Sequence, residues 1–141
     1  MKRFALTTLA GILGVGLMLT SPDTAEAQRT APPGGAYKMV SSLVPLPDFV
    51  PGLGTLYVDP ATLPAGPFLA YDHQGGLVSS IYMIPLKDMN AQKAFGNLKV
   101  AQERVDHVDI VFNAGHPGVA EPHYHVVLWY VSPQRAAQLA K

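Results

Sequence analysis

Short apolar runs separated by turn-forming residues dominate the chain after residue 37. The runs richest in β-branched and aromatic residues predict strands over residues 55–58, 68–71, 77–84, 105–113 and 123–131. Gly75 and Gly76 lie between the second and third of these runs, which indicates a β-hairpin. Six prolines between residues 45 and 67 remove backbone donors, so this part is expected to form turns and edge strands.

Two helices are predicted from spacing and capping. Asp88 can cap a first helix, in which apolar residues recur at helical spacing: Ala91, Ala94, Phe95 and Leu98. Ser132 followed by Pro133 is typical of a helix start and predicts a second helix over residues 134–141. The order of strands, helix, strands and helix favours an α+β fold, an antiparallel sheet of about six strands with two helices. A small, partly closed β-barrel is the alternative.

The first 27 residues have the three parts of a secretory signal. Lys2 and Arg3 precede an apolar run over residues 4–19, and Ala25 and Ala27 are small residues at both positions that determine cleavage. The run of sixteen residues (19 − 4 + 1) is shorter than the roughly 20 that a spanning helix needs. We therefore expect residues 1–27 to be a signal peptide, a periplasmic or secreted location, and no membrane association after cleavage.

The rest of the chain is predicted to be a flexible linker over residues 28–36, which carries Pro-Pro-Gly-Gly, and a single α+β domain over residues 37–141. Without Lys2, Arg3, Asp23 and Glu26 the chain has eight basic residues (10 − 2) and eight acidic ones (10 − 2). No basic excess is left to neutralise a phosphate backbone, so nucleic acid is not an expected partner. The absence of cysteine excludes disulfides, thiolate metal ligands and a catalytic thiol.

Four of the five histidines fall within nineteen residues (125 − 107 + 1), together with three carboxylates: His107, His116, His123, His125, Asp106, Asp109 and Glu121. Alternate residues of a strand share a face, so His123 and His125 are expected to point the same way. If the last two predicted strands form a hairpin, Asn113 lies opposite His123, Val111 lies opposite His125, and His107 lies far away, opposite Trp129.

The hairpin therefore splits the histidine segment into two groups. His116, His123 and His125, with Glu121 as a fourth ligand or nearby base, predict a site for a divalent transition metal such as zinc, copper or iron. The alternative is that these histidines are solvated side chains on a turn and a half-exposed strand. His107 is interpreted as packed near Trp129, with a catalytic or ligand role for it and its flanking aspartates left open. Asp72 and His73 lie in the glycine-rich turn and are expected to face solvent.

The histidine segment resembles the opening of a cupin metal motif. Gly118 followed by His123 and His125 on a strand carries this resemblance, which implies a small barrel with a His, His, Glu, His metal site. Residues 126–132 hold no acid where cupins have the glutamate.

A second resemblance covers residues 105–131. Gly115-His116-Pro117 and Pro122-His123-Tyr124, preceded by Asp106-His107-Val108-Asp109, resemble the pattern of a bacterial family of exported small domains of unknown function. That family is typified by a thermophile protein under an extracytoplasmic (sigma-E) sigma-factor system. His125 stands where the family has aspartate, and Val127 stands where it has a second histidine. The resemblance implies an envelope location and a homo-oligomer, and it implies no known reaction.

Three hypotheses about function follow from these observations. The chain is an exported envelope protein that binds a metal through its histidine cluster, a non-enzymatic envelope module that binds a partner or copies of itself, or a cupin-like metal-dependent enzyme. The residue pattern leaves open whether the protein is an enzyme. No Gly-x-Ser-x-Gly motif supports serine catalysis.

Overall fold

The computed structural model describes residues 28–141. The predicted signal peptide lies outside the described residues. Within them, six strands form one sheet in which all neighbours are antiparallel, in the order β1-β2-β3-β4-β6-β5. The strands are β1 (Lys38–Met39), β2 (Thr55–Val58), β3 (Phe68–Tyr71), β4 (Leu77–Pro85), β5 (His107–Asn113) and β6 (His123–Trp129). The predicted α+β class is confirmed. The barrel alternative is wrong, because β1 and β5 are open edges that do not pair with each other.

Two short α-helices accompany the sheet in the described part of the chain, α1 (Leu86–Asn90) and α2 (Pro133–Ala136). The predicted C-terminal helix is confirmed: Ser132 Oγ accepts a hydrogen bond from the Arg135 backbone N–H, and a 3-10 helix over Ala137–Ala140 continues α2. Short 3-10 helices over Val40–Ser42 and Pro60–Thr62 lie before β2 and before β3. Among residues 28–141, no helix is long and apolar enough to cross a membrane.

The first predicted helix is wrong in length. We expected helical structure from Asp88 to Leu98, but α1 has five residues, and Gln92 and Asn97 have left-handed φ angles of 57° and 55°. Residues 91–98 are exposed or only partly buried, so no apolar face packs against the sheet. Because most helical stability in proteins comes from packing one face, the apolar spacing alone does not sustain a helix here.

Both faces of the middle strands are covered, which explains why these strands are continuously apolar. In β3, Phe68 and Ala70 belong to one core, and Leu69 and Tyr71 belong to a second core on the opposite face. The first core also contains Val127 and Trp129 of β6, among a larger set: Val40, Leu56, Val58, Val78, Ile81, Met83 and Leu139. Alternation along β6 therefore directs His123 and His125 toward the face that carries this first core.

The segment before the sheet contacts the second face. Tyr71 Oη donates to the Gln28 carbonyl oxygen at 2.8 Å, Thr30 forms a β-bridge with Gly76, and Arg29 pairs with Glu103. The flexibility of residues 28–36 and the domain boundary at residue 37 stay predictions.

Asp72 is buried in the β3–β4 turn, so the expectation that it faces solvent is wrong. Its carboxylate accepts hydrogen bonds from the backbone N–H groups of Gln74 and Gly76, at 3.0 and 2.8 Å, and from Arg135 Nη2 at 2.6 Å. Burial by itself raises the pKa of Asp72, but the Arg135 and backbone hydrogen bonds outweigh it and hold the pKa below its usual value. Asp72 thus ties the hairpin turn to helix α2.

Replacing Asp72 by alanine is expected to lower the free energy of unfolding by about 2 kcal/mol at pH 7, because the backbone N–H groups of the turn lose a buried, charged acceptor. Arg135→Ala is expected to cost less than about 1 kcal/mol, since its side chain is largely exposed. The depressed pKa means that the stability due to Asp72 is present above the unfolded pKa and is lost as pH falls through the folded pKa. Denaturant unfolding from pH 7 to pH 3 measures both effects. Equal free energies of unfolding for the Asp72 and Arg135 variants at pH 7 would contradict the claim that the backbone hydrogen bonds to Asp72 stabilise the turn.

Candidate metal centre

The β5–β6 hairpin has the register that the sequence predicts. Asn113 pairs with His123, Val111 pairs with His125, and the far end of the hairpin pairs His107 with Trp129. On its other side β6 pairs with β4, so His123 is held between two strands and is fully buried. The two β6 histidines are therefore fixed by the interior of the sheet rather than by a loop.

The third histidine is placed by a tight turn. His116 and Val119 exchange backbone hydrogen bonds, each 2.9 Å long, across Pro117 and Gly118. Proline followed by a glycine at φ +87° is the sequence signature of a type II turn. A Cβ on Gly118 would lie 2.6 Å from Val44 Cγ1, so the turn packs closely on the segment before β2. This contact fixes the turn that carries His116.

The side chains of His116, His123 and His125, here called the His trio, converge at the mouth of the hairpin. One ligand nitrogen from each ring lies within 4.8 Å of the other two. His123 Nε2 and His125 Nε2 lie 2.9 Å apart. The ring centroids are 4.8 to 5.6 Å apart. The structure thus brings together three of the four predicted site residues.

Backbone carbonyls set the tautomer of two rings of the His trio. His123 Nδ1 lies 2.7 Å from the Glu121 carbonyl oxygen, and His116 Nδ1 lies 3.0 Å from the Pro117 carbonyl oxygen. A carbonyl oxygen can only accept, so Nδ1 carries the proton in each ring and Nε2 of the neutral ring has a free lone pair. A backbone carbonyl on the second nitrogen is the usual support of a metal-binding histidine.

The third ring of the His trio, His125, is also neutral, as a metal ligand must be. Burial, followed by the nearby His123 and His116 rings, lowers the pKa of His125 to about 4, so its ring is neutral at pH 7. Because His123 Nε2 holds a lone pair, the 2.9 Å contact requires His125 Nε2 to donate a proton when no cation is bound. If a metal ion were bound by Nε2 of both rings, it would replace that proton, and the proton of the neutral His125 ring would reside on Nδ1.

The lowered pKa of His125 predicts a pH-dependent stability of the metal-free protein. Between pH 6.5 and about pH 4 the unfolded chain binds a proton at His125 that the folded chain does not, so the free energy of unfolding should fall as pH falls through this range. Denaturant unfolding in the presence of a chelator measures the slope. His125→Asn should flatten it relative to the wild type, whereas His73→Asn, which alters an exposed ring, should not. Parallel curves for all three proteins would contradict this assignment.

The Glu121 carboxylate does not join the His trio. It is about half exposed and forms an ion pair with Lys87 Nζ of α1 at 2.6 Å. The contribution of Glu121 to the site is its backbone carbonyl, which orients His123. A sequence pattern cannot reveal this role, because any residue supplies a carbonyl.

The histidine at the other end of the hairpin, His107, is packed near Trp129, as its position opposite that residue predicts. The His107 ring stacks on Trp129, with centroids 5.9 Å apart and planes 15° apart. His107 Nδ1 contacts Asp106 Oδ1 at 2.9 Å, and the Trp129 indole N–H donates to Asp109 Oδ2 at 2.8 Å. These three side chains serve the packing of Trp129 and lie outside the His trio.

An apolar cavity next to the His trio was not visible in the sequence pattern. It has a volume of about 370 Å³ and lies between the sheet, the segment around residues 40–53 and the His116 turn. His116 and His125 line it, as does Asn113. The residues that line the cavity come from segments far apart in the chain, so the cavity cannot be predicted from the sequence pattern.

An open α+β sheet with three converging imidazoles defines a small domain with a candidate metal centre. The chain is similar to the hypothetical protein TTHB210 from Thermus thermophilus, whose crystal structure has been solved. The two are 46% identical, the match covers 67% of this chain and 87% of that one, and the TM-score is 0.61. The chain belongs to the family of this protein. No family model and no curated protein matches the chain.

Proposed function

We propose that this protein binds one divalent transition metal ion through the His trio, in the bacterial envelope. The observation that carries the proposal is the convergence of three imidazole nitrogens, with a backbone carbonyl placed to accept from Nδ1 of His116 and of His123, so that Nε2 is the available ligand atom of each neutral ring. Zinc, copper and iron all accept imidazole ligands. Three histidines plus an open fourth position form a familiar ligand set for zinc.

The spacing of the nitrogens supports this proposal. Ligand bonds of about 2 Å in a tetrahedral site put neighbouring nitrogens roughly 3.3 Å apart. The Nε2 atoms of His123 and His125 are 2.9 Å apart, and no ligand nitrogen of the His trio is more than 4.8 Å from another, so the separations lie around that value. The ligand set has no carboxylate, because Glu121 pairs with Lys87. A bound ion would therefore keep its full charge and attract an anion to the open position.

Zinc titration of the chain, purified without a polyhistidine tag and stripped by a chelator, tests the proposal. We expect one ion per chain and a higher midpoint of thermal unfolding when zinc is in excess, because the ion binds only the folded state. Elemental analysis of the untreated protein identifies the native metal among zinc, copper and iron. Trace metal and an unchanged unfolding midpoint would end the proposal.

The envelope location and the sigma-factor regulation implied by the family resemblance are part of the proposal. The signal-like pattern of residues 1–27 supports export, whereas the regulation rests on the family resemblance alone. Deleting those residues should move the protein from the exported fraction to the cytoplasm. A protein that stays in the cytoplasm with residues 1–27 intact would contradict export.

A second candidate function is self-association through strand β5, and one observation favours it. β5 is an open edge, and four of its apolar side chains are at least half exposed: Val108, Ile110, Val111 and Phe112. Exposed apolar edge strands are prone to pair with another strand. A cupin-like enzyme has less support, since residues 126–132 lack the motif's glutamate and the sheet is open.

Light scattering of the Ile110→Lys variant tests self-association. We expect the wild type to assemble and the variant to be smaller, with unchanged zinc binding, because β5 residue 110 lies outside the His trio. Val100→Lys is the matched control, since Val100 is similarly exposed and lies outside the strands. A monomeric wild type would contradict this candidate.

A further inference from the structure

The apolar cavity beside the His trio has the composition of a ligand site. Its polar lining, within residues 28–141, consists of the side chains of Asn113, His116 and His125, and no charged side chain lines it. The remaining lining residues are aliphatic, Phe, Met, Pro or Gly. Such walls cannot hold water well, because a buried water needs two to four polar partners. The cavity is therefore suited to an apolar occupant.

The size of the cavity sets the size of that occupant. An apolar cavity of about 150 Å³ can hold benzene, so a volume of 370 Å³ corresponds to roughly fifteen non-hydrogen atoms. Leu43 and Leu63 line the cavity and are nearly half exposed, so the cavity opens to solvent beside them. A small free molecule of up to about fifteen non-hydrogen atoms, such as a medium-chain aliphatic compound, fits this space.

The polar side chains that line the cavity determine which polar group an apolar ligand should carry at one end, here called its head. Asn113 Oδ1 accepts from the Gly115 N–H at 2.8 Å, which fixes the amide orientation and leaves the Asn113 NH₂ group as a donor. His116 and His125 contribute to both the His trio and the cavity wall. An ion held by the His trio would thus present a positive charge at the cavity, next to an amide donor. That combination binds a carboxylate.

We propose that the cavity binds a free carboxylic acid with an apolar tail, of the medium-chain fatty acid type. The tail occupies the apolar cavity, one carboxylate oxygen fills the open position of the metal, and the other accepts from the Asn113 NH₂ group. The placement of the head rests on the proposed metal binding, whereas the placement of the tail does not.

Calorimetric titration of the zinc-loaded protein with acetate, butyrate, hexanoate and octanoate tests this inference. Each added methylene should raise the affinity by about fourfold while the tail still fits, since this is the gain from burying one methylene. Acetate, which has the head without the tail, should bind far more weakly than octanoate. An affinity that is independent of tail length, or no octanoate binding to a protein that holds zinc, would overturn the inference and leave metal binding intact.

Three variants locate the ligand. Leu63→Trp should fill the opening and weaken octanoate binding at least tenfold, whereas Met89→Trp, at an equally exposed residue outside the cavity, should not. Asn113→Asp keeps an acceptor for the Gly115 N–H but replaces the amide donor with a negative charge, so it should weaken octanoate and retain zinc. Equal octanoate affinities in Leu63→Trp and Met89→Trp would overturn the inference.

A titration of the metal-free protein with 1-octanol separates the two proposals. Binding of 1-octanol that is lost in Leu63→Trp supports the position of the tail whether or not the His trio binds zinc. If the chain does not bind zinc and octanoate binds no better than 1-octanol, the position of the carboxylate head is overturned together with metal binding.

Discussion

Replacing His125 by alanine is expected to lower the affinity for zinc at least 100-fold. His125 supplies one of three nitrogens of the His trio, and removing even a partner outside the ligand set typically costs 10- to 100-fold in metal affinity. His125 is only partly buried, so the variant should fold more readily than a variant of the fully buried His123. Competition with a chromophoric chelator measures the affinity, and circular dichroism checks the fold.

Two other histidines provide controls for His125→Ala. His73 is exposed and stacks on Phe49, and His107 stacks on Trp129, so neither contributes to the His trio. Alanine at either residue should leave the zinc affinity within a factor of about three, less than 1 kcal/mol. A His125→Ala protein that binds zinc as tightly as these controls would exclude the His trio as the metal site.

Replacing Gly115 by alanine is expected to weaken zinc binding by about 10- to 100-fold without touching a ligand. Gly115 has a φ of +128°, and an added Cβ would lie 2.6 Å from the Ala120 carbonyl oxygen. Because the obstacle is backbone, the loop must move and carry the neighbouring His116 with it. Displacement of a ligand in this way is comparable to the loss of a supporting group. The free energy of unfolding should also fall by about 2 kcal/mol.

Gly34→Ala is the matched control for Gly115→Ala. Gly34 also has a positive φ, of +71°, but no atom lies within 4 Å of the added Cβ. This variant should cost about 1 kcal/mol of stability through backbone strain alone and leave zinc binding unchanged. If zinc binding weakened equally in both variants, general destabilisation rather than movement of the His116 loop would be responsible.

The sheet and the hairpin register could be predicted because alternation and chain order constrain them strongly. β5 and β6 follow each other in the chain and are joined by the loop of residues 114–122, so pairing the two residues that flank this loop, Asn113 and His123, sets every other pair of the hairpin. The first helix could not be predicted correctly, since its apolar spacing has no surface to pack against. Spacing indicates a helix face only when the tertiary structure provides a partner for it.

The candidate site was predictable in its ligands and not in their surroundings. The spacing of His123 and His125 on one strand face places both rings together, and the Gly-His-Pro loop places His116 near them. The sequence does not reveal that Lys87 draws the Glu121 carboxylate away, because these residues are 34 positions apart. The burial of Asp72 had a signal that was missed, since an aspartate before a Gly-Gly pair often accepts from its own turn.

The turn from His116 to Val119 is part of both the His trio and the wall of the apolar cavity. Its histidine contributes to the His trio, while Pro117, Gly118 and Val119 form part of the cavity wall. Thermodynamic reciprocity then applies: any cavity occupant that shifts this turn changes the ion affinity by a factor, and the ion changes the affinity for the occupant by the same factor. Through this four-residue turn, the affinity for the ion and the affinity for the cavity occupant would depend on each other.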